Sequence, residues 1–346
     1  MYRAVLWGAN GMAGGEMLRL IAGHPEMELV AAVSRSRAGS PIWHVHPHLR
    51  QEYPQEVFVN PEEAFQRETD IVFLALPHGS SWQVILPYLD RGVKVVDLSA
   101  DARFKDPHDY IKWYGKPHGA PEILSESVYG LPELHREEIR TARLVSGVGC
   151  NATCSIIGLY PLALEGLIAE ARLDLRVGSS EGGASPTRGS HHPYRDRTLR
   201  VYEPFSHRHL AEIIQELKMP EHVFTMTMTA ASIIRGVQML AQVRLTRKVR
   251  EAELWKIYRR YFAEEPFASL CPAKPSHLRF PDPRFVVGSN RAMTGFALHE
   301  DSERLIVVTA IDNLLKGAAG SALQSANLML GLDEKQGLEM IPLYPV

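Results

Sequence analysis

The sequence predicts two domains: an α/β unit wound around a parallel sheet, then an α+β unit with a mostly antiparallel sheet. Three observations carry this. The chain has 346 residues, more than one ordinary core organises. Up to Val148, continuous apolar runs alternate with helical patterns, as parallel strands buried on both faces require. Beyond Cys150 the texture changes, and Phe224–Thr229 alternates strictly between apolar and polar residues, the mark of a sheet with one buried face. The predicted division is 1–149, 150–316 and a C-terminal segment 317–346 whose helix returns to the first domain.

The first strand is Ala4–Trp7. It ends in a glycine-rich turn, and a helical pattern follows through Met17, Leu18 and Ile21 until Pro25 stops it. Glu28–Val33 is the next apolar run, completing a βαβ unit. Ile71–Leu76, Val93–Leu98 and Leu144–Val148 continue the sheet. In the second half a helix is predicted over Thr153–Leu167. Strands are predicted over Leu173–Ser179, Phe224–Ala230, Val237–Leu245 and Leu305–Ile311, with a hairpin turning at Asp301-Ser302. A helix spans Val249–Phe262 and an alanine-rich one Gly317–Leu330. Residues 180–209, rich in Gly, Ser, Pro, Arg and His, read as a long functional loop.

Composition excludes several classes. Lys and Arg (38) nearly balance Asp and Glu (40), so no global field points to nucleic acid or a membrane surface. No apolar run reaches the roughly 18–20 residues of a membrane span. The opening MYRAVLWGAN enters a strand directly, without a signal-peptide pattern. Three cysteines, Cys150, Cys154 and Cys271, argue for a reducing compartment over a disulfide scaffold. The expectation is a cytoplasmic protein with no structural metal.

Between the first strand and first helix stand Gly8, Asn10, Gly11, Met12, Ala13 and Gly14. The spacing is G-x-x-G-x-x-G, which meets the same demand as the familiar dinucleotide fingerprint. The backbone turns tightly, and helix N-terminal amides face a pyrophosphate. The second strand then runs into Ser34-Arg35-Ser36-Arg37, where an NAD site would offer Asp or Glu to the ribose 2′-hydroxyl. Hydroxyls and guanidinium groups suit a 2′-phosphate, so NADP (as NADPH) is the expected cofactor of a Rossmann-type domain.

Cys150 follows Gly149 where a strand passes into a helix. The helix terminus is expected to lower its pKa and make it a nucleophile toward an activated acyl group. Cys154, one turn later, has the bland role of a small buried hydrophobe. His207 and His209 flank Arg208 and precede Glu212. Histidine can manage the proton of such chemistry, Glu212 can orient the ring of His207, and Arg208 can hold a phosphate or carboxylate.

These segments, with Leu76-Pro77-His78-Gly79, Val96–Asp101, Tyr129–Glu133 and Asp312-Asn313-Leu314, occur in the order found in one family. The chain resembles the N-acetyl-gamma-glutamyl-phosphate reductases, relatives of aspartate-semialdehyde dehydrogenase. It departs from the arginine-pathway members at Val148 and Asn151 around the Gly-Cys pair, and at Ser180–Pro186. Gly-Cys-Asn-Ala-Thr and Ser-Ser-Glu-Gly-Gly-Ala with His191-His192-Pro193 resemble instead the subfamily of lysine biosynthesis. Its aminoadipyl phosphate substrate is masked by LysW, a small acidic carrier protein. Some members also act on carrier-linked glutamate for arginine biosynthesis.

The resemblance implies a semialdehyde dehydrogenase-like fold and reduction of the acyl phosphate to the semialdehyde through a Cys150 thioester. It implies His207 as proton carrier, paired with Glu212, although His209 stays open for the same role. It places Asn313 on the nicotinamide, and Asn151, Ser180, Arg208 and His209 around the substrate. A homo-oligomer, dimer or tetramer, is expected. Five arginines between Ser185 and His209 (Arg188, Arg195, Arg197, Arg200, Arg208) face only Asp196 and Glu203, a charge pattern suited to receiving an acidic carrier. Three other readings remain: the N-acetylated substrate of arginine biosynthesis, an alcohol dehydrogenase without a covalent step, and a non-catalytic NADP-sensing protein.

Overall fold

The structure, a computed structural model, describes residues 1–345. It divides into two compact units, Met1–Val148 with Ala318–Glu339, and Gly149–Gly317 with residues 340–345. The helix after Gly317 therefore belongs to the first unit. The predicted third segment does not stay whole, because Leu343 donates its N–H to Val287 O at 3.1 Å and the Tyr344 ring meets Phe285. These contacts place the end of the chain with the second unit.

In the first unit the strands are β1 (Tyr2–Trp7), β2 (Met27–Val33), β3 (Phe58–Val59), β4 (Ile71–Leu74), β5 (Lys94–Asp97), β6 (Val128–Tyr129) and β7 (Leu144–Ser146). They form one sheet in the order β3-β2-β1-β4-β5-β7-β6, with every pairing parallel. The apolar runs are buried throughout: Ala4, Val5, Leu6 and Ile71–Leu74 have no exposed surface. The two-residue strands β3 and β6 had no sequence signal of their own, since nothing periodic fits in two positions.

Strand order reverses between β1 and β4. A cleft therefore opens at their carboxyl ends, where doubly wound sheets bind ligands. The helix Gly320–Met329 packs on β5 and on the helix Pro132–Thr141. All ten of its residues are buried, and its small side chains let it lie close. Its polar members are tied off, Gln324 Nε2 donating to Glu334 and Asn327 Nδ2 to Gln336 O.

In the second unit β8 (Ile168–Val177), β9 (Leu199–Tyr202), β10 (Phe224–Ala231), β11 (Val237–Leu245), β12 (Ala268–Leu270), β13 (Ala292–Leu298) and β14 (Arg304–Ile311) make a mixed sheet. Its order is β12-β13-β14-β11-β8-β10-β9. Four pairings are antiparallel, while β10–β8 and β12–β13 are parallel. Along β11, Val237, Met239, Ala241, Val243 and Leu245 are buried and the residues between them are not. The helix Cys150–Leu164 covers the buried face by packing on β11 and β14, and the helix His209–Leu217 packs against it.

The stretch 180–209 is not wholly loop. Its Leu199–Tyr202 pairs antiparallel with β10 as the sheet's edge strand, a pairing between distant segments that no local pattern announces.

Candidate active site

The glycine turn sits at the carboxyl end of β1. Gly8 has φ +73°, and a Cβ there would lie 2.1 Å from Ala75 O. A Cβ on Gly14 would lie 2.4 Å from Gly8 O, so neither position takes a side chain. Gly11 caps the helix Met12–Ala22, and a Cβ there would meet only Gly8 O, leaving open space in front of the helix N-terminus. Met12 is exposed, Asn10 is partly so, and Ala13 lies in the first turn.

His46, which sequence reasoning missed, bonds Ala9 O through Nε2 at 2.8 Å and braces this turn. Burial pushes its pKa down, so the ring is a neutral donor. At the end of β2, Ser34 is buried, and its hydroxyl has no hydrogen-bond partner among the described residues. Arg35, Ser36 and Arg37 beside it are exposed. An open helix N-terminus, an orphaned hydroxyl and two guanidinium groups fit a phosphorylated dinucleotide.

The neighbouring loops are locked from below. The buried Asp101 carboxylate accepts the N–H groups of Gly79, Ser81 and Trp82 at 2.5–3.3 Å and the Tyr110 hydroxyl at 3.1 Å. Asp97 holds Ser99, and burial pushes its pKa up to about 6. Arg103 donates to Gly147 O and Ser99 O. The motifs at 76–79 and 96–101 are thus one hydrogen-bonded scaffold at the strand ends.

In the second unit Cys150 opens the helix Cys150–Leu164, capped by the Gly149 backbone. Its Sγ donates to Glu181 Oε1 at 3.2 Å, and Asn151 Nδ2 donates to the other oxygen, Oε2, also at 3.2 Å. This corrects the expectation of a depressed thiol pKa. Burial, then the Glu181 charge and hydrogen bond, push the thiol well above its ordinary range and outweigh the Asn151 amide. Glu181 is itself pushed up to about 7 by burial, against the opposing bonds from Cys150 and Asn151 and the charges of Arg195 and Arg208. Both groups are thus pushed toward their protonated forms. Cys154 is fully buried with Sγ 3.2 Å from Thr309 O.

Glu212 is fully buried, and its Oε2 accepts the Gly149 N–H at 2.8 Å. A Cβ on Gly149 would lie 2.5 Å from Glu212 Oε1 and 2.8 Å from both Cδ2 and Nε2 of His209. His209 therefore stands against the backbone that leads into Cys150. His207 lies behind it, accepting the His209 N–H through Nδ1 at 3.2 Å with the two rings edge to face. Burial, helped by Arg208, pushes His207 down to about 4, which makes it a poor proton carrier near neutrality. The π-helical turn Leu315–Ala319 after β14 closes the other side, where a Cβ on Gly317 would lie 2.6 Å from Cys150 Cβ.

Asn313 is buried, with Oδ1 accepting from Gly236 N at 2.7 Å and Nδ2 donating to the buried Ser180 hydroxyl at 2.8 Å. Both residues thus serve first to fix the turn Ser179–Gly182 that carries Glu181. Neither Glu181 nor Gly317 was singled out from sequence as a site residue. The departure of Ser180-Glu181-Gly182 from the arginine-pathway loop was the signal for the former.

Arg195 also differs from expectation. It is buried, donates to Val177 O and feels the charge of Glu181, so it is not a docking residue. Arg188, Arg197, Arg200 and Arg208 are exposed. Close by in sequence are the exposed apolar side chains Leu199, Val201 and Phe205. Among the described residues no His, Cys, Asp and Glu group could hold a metal, and no helix is long and apolar enough to cross a membrane.

Residues 3–142 match the family described as semialdehyde dehydrogenase, NAD binding domain, and residues 150–313 the one described as semialdehyde dehydrogenase, dimerisation domain. The LysW-L-2-aminoadipate/LysW-L-glutamate phosphate reductase of Sulfurisphaera tokodaii is 41% identical, with all of both chains covered. The protein of the same name from Saccharolobus solfataricus is also 41% identical, over 99% of this chain and 98% of that one. The chain belongs to this family of semialdehyde dehydrogenase-type phosphate reductases. Among solved structures, aspartate semialdehyde dehydrogenase II of Vibrio cholerae shares the fold at 14% identity, with TM-score 0.71 over 96% of this chain and 98% of that one. The NADP complex of the Candida albicans enzyme has TM-score 0.68 at 16% identity, over 95% and 98% of the two chains. The chain is thus an oxidoreductase with a nicotinamide-dinucleotide domain.

Proposed function

We propose that this chain reduces LysW-linked 2-aminoadipyl 6-phosphate to the semialdehyde and phosphate in the cytoplasm, with NADPH as reductant, and that it also accepts the glutamyl homologue. The single observation that carries this is Cys150 at a helix start, with Glu181 on its sulfur and Glu212 and His209 on its backbone. That is the machinery of covalent acyl transfer, in a chain whose named relatives are phosphate reductases. A Rossmann alcohol dehydrogenase leaves that constellation without a use, as does a cofactor sensor.

The Gly8–Gly14 turn would hold the pyrophosphate, and Ser34, Arg35 and Ser36 the 2′-phosphate. The bound nicotinamide supplies hydride. Cys150 forms a thioester with release of phosphate, and the thiohemiacetal that follows collapses to the aldehyde. Amides at the start of the Cys150 helix stabilise the oxyanion. His209 handles the proton nearest the reacting carbon, with His207 positioning it and Glu212 fixing Gly149. Arg208 takes the phosphate, while Asn151 and Ser180 shape the pocket floor around Glu181. Asn313, tied to Ser180 and Gly236, keeps an N–H for the nicotinamide carboxamide.

Arg188, Arg197 and Arg200, with Leu199, Val201 and Phe205, form the surface that receives the acidic carrier. The uncovered face of the second sheet forms a dimer interface. The test is phosphate-dependent oxidation of carrier-linked aminoadipate semialdehyde, compared with free N-acetyl-glutamate semialdehyde. The carrier-linked substrate is expected to be preferred, Cys150→Ala to be inactive and Cys154→Ala active. Turnover by Cys150→Ala refutes the covalent route.

A further inference from the structure

We propose that Glu181 is the base that takes the Cys150 thiol proton before acyl transfer and gives it back when the aldehyde departs. The proposal rests on the covalent route above and names the group that route still needs.

The geometry is direct. Glu181 is the one side-chain hydrogen-bond partner of Cys150 Sγ among the described residues. Its second oxygen is held by Asn151, the next residue of the same helix, so one turn of backbone aims both groups at a single carboxylate. The carboxylate is in turn fixed from its own side. Ser179 N and Ser180 N donate to Ile233 O and Ile234 O, and the Ser180 hydroxyl accepts from Asn313. The charged and titratable groups that act on it are Cys150, Arg195, Arg208 and Tyr202, while Glu212 acts on Cys150. Two guanidinium groups keep a carboxylate available beside the sulfur. The surrounding burial brings its proton affinity to about 7, where a base is most useful at neutral pH. Neither histidine is bonded to the sulfur. His207 accepts from His209, and His209 stands against Gly149.

The steps balance. The S–H bond breaks and the proton moves to Glu181 Oε1. The thiolate forms an S–C bond to the acyl carbon as the C–O bond to phosphate breaks. Hydride addition gives a tetrahedral alkoxide, whose collapse forms C=O and releases the thiolate. Glu181 then returns its proton to sulfur. The departing phosphate takes its own proton from solvent or His209, so one proton is consumed per hydride transferred.

The experiment compares Glu181→Gln, Glu181→Asp and Cys150→Ala in the full chain. It assays carrier-linked aminoadipate semialdehyde with inorganic phosphate and NADP from pH 6 to 9. Wild type should rise to a plateau above a limb near pH 7. Glu181→Gln should lose about 100-fold in kcat/KM at pH 7 and recover as pH rises, because hydroxide replaces the missing base. Glu181→Asp should regain part of the activity at pH 7. Iodoacetamide at pH 9 should still label Cys150 in native Glu181→Gln, which reports an intact, reachable thiol. Activity of Glu181→Gln within about threefold of wild type at pH 7 overturns the proposal. So does a loss that stays constant from pH 6 to 9, which would make Glu181 a positioning residue. Turnover by Cys150→Ala would instead remove the covalent route itself, so the two failures are distinguishable.

Discussion

Gly149→Ala is the smallest perturbation that tests how the proposed nucleophile, Cys150, is held. The new methyl group would lie 2.5 Å from Glu212 Oε1 and 2.8 Å from two atoms of the His209 ring. Ordinary contact begins near 3.4 Å, so the carboxylate must retreat by about 0.9 Å or the helix start must move instead. Either shift weakens the 2.8 Å bond from Gly149 N–H to Glu212. The backbone itself is not the obstacle, because Gly149 has φ −81°, which alanine adopts freely. Glu212 has no exposed surface to retreat into, so the cost is that of overpacking plus a weakened buried bond, about 2–4 kcal/mol. Catalysis should suffer more than folding. A displacement near 1 Å at a reacting group costs on the order of 100-fold in rate. The assays are thermal unfolding, NADPH binding and kcat. The expected result is a folded protein of lower Tm with normal cofactor binding and kcat down about 100-fold. A kcat within threefold of wild type would show that the Glu212–Gly149 contact does not position Cys150.

Three further outcomes are expected. Replacing Arg35 and Arg37 together by Ala should erase a preference for NADPH over NADH of at least about tenfold, roughly 1.4 kcal/mol, in steady-state kinetics with both cofactors. Wild-type preference for NADH would reject the reading of Ser34–Arg37. Changing Arg188, Arg197 and Arg200 to Ser should raise KM for the carrier-linked substrate several-fold at low salt, and leave a small free analogue unaffected. Equal losses on both substrates would assign these arginines to folding or phosphate binding. His207, at about 4 against an ordinary 6.5, remains neutral in the folded chain while the unfolded chain takes up a proton. Its contribution to stability is therefore full above pH 6.5 and lost as pH falls toward 4, by at most about 3 kcal/mol. His207→Gln should flatten that part of the denaturation profile, and an unchanged slope would show that the ring is not buried neutral.

Elements whose signal is local were legible in the sequence. The continuous runs Ala4–Trp7 and Ile71–Leu74 announced strands buried on both faces, and the alternation of 224–229 announced one buried face. The glycines before Met12 announced a tight turn into a helix start, because at Gly8 only a residue without Cβ fits against Ala75 O. Gly149-Cys150 marked a helix start for the same local reason, a strand passing straight into a helix.

Partnership between distant segments is what the tertiary structure decided. The Cys150 thiol is raised first by burial and then by Glu181, 31 residues away, and together these outweigh the Asn151 amide at the helix start that the sequence displays. Which histidine stands beside Gly149 depends on the helix His209–Leu217, which sets His209 and Glu212 against that glycine, while His207 bonds to His209. Arg195 reads like its four neighbours in the sequence, and burial beneath the strand-end carbonyl of Val177 is what separates it from them. Periodicity and turn chemistry are written in adjacent residues. Electrostatics and burial are sums over space, so they exist only once the chain has closed.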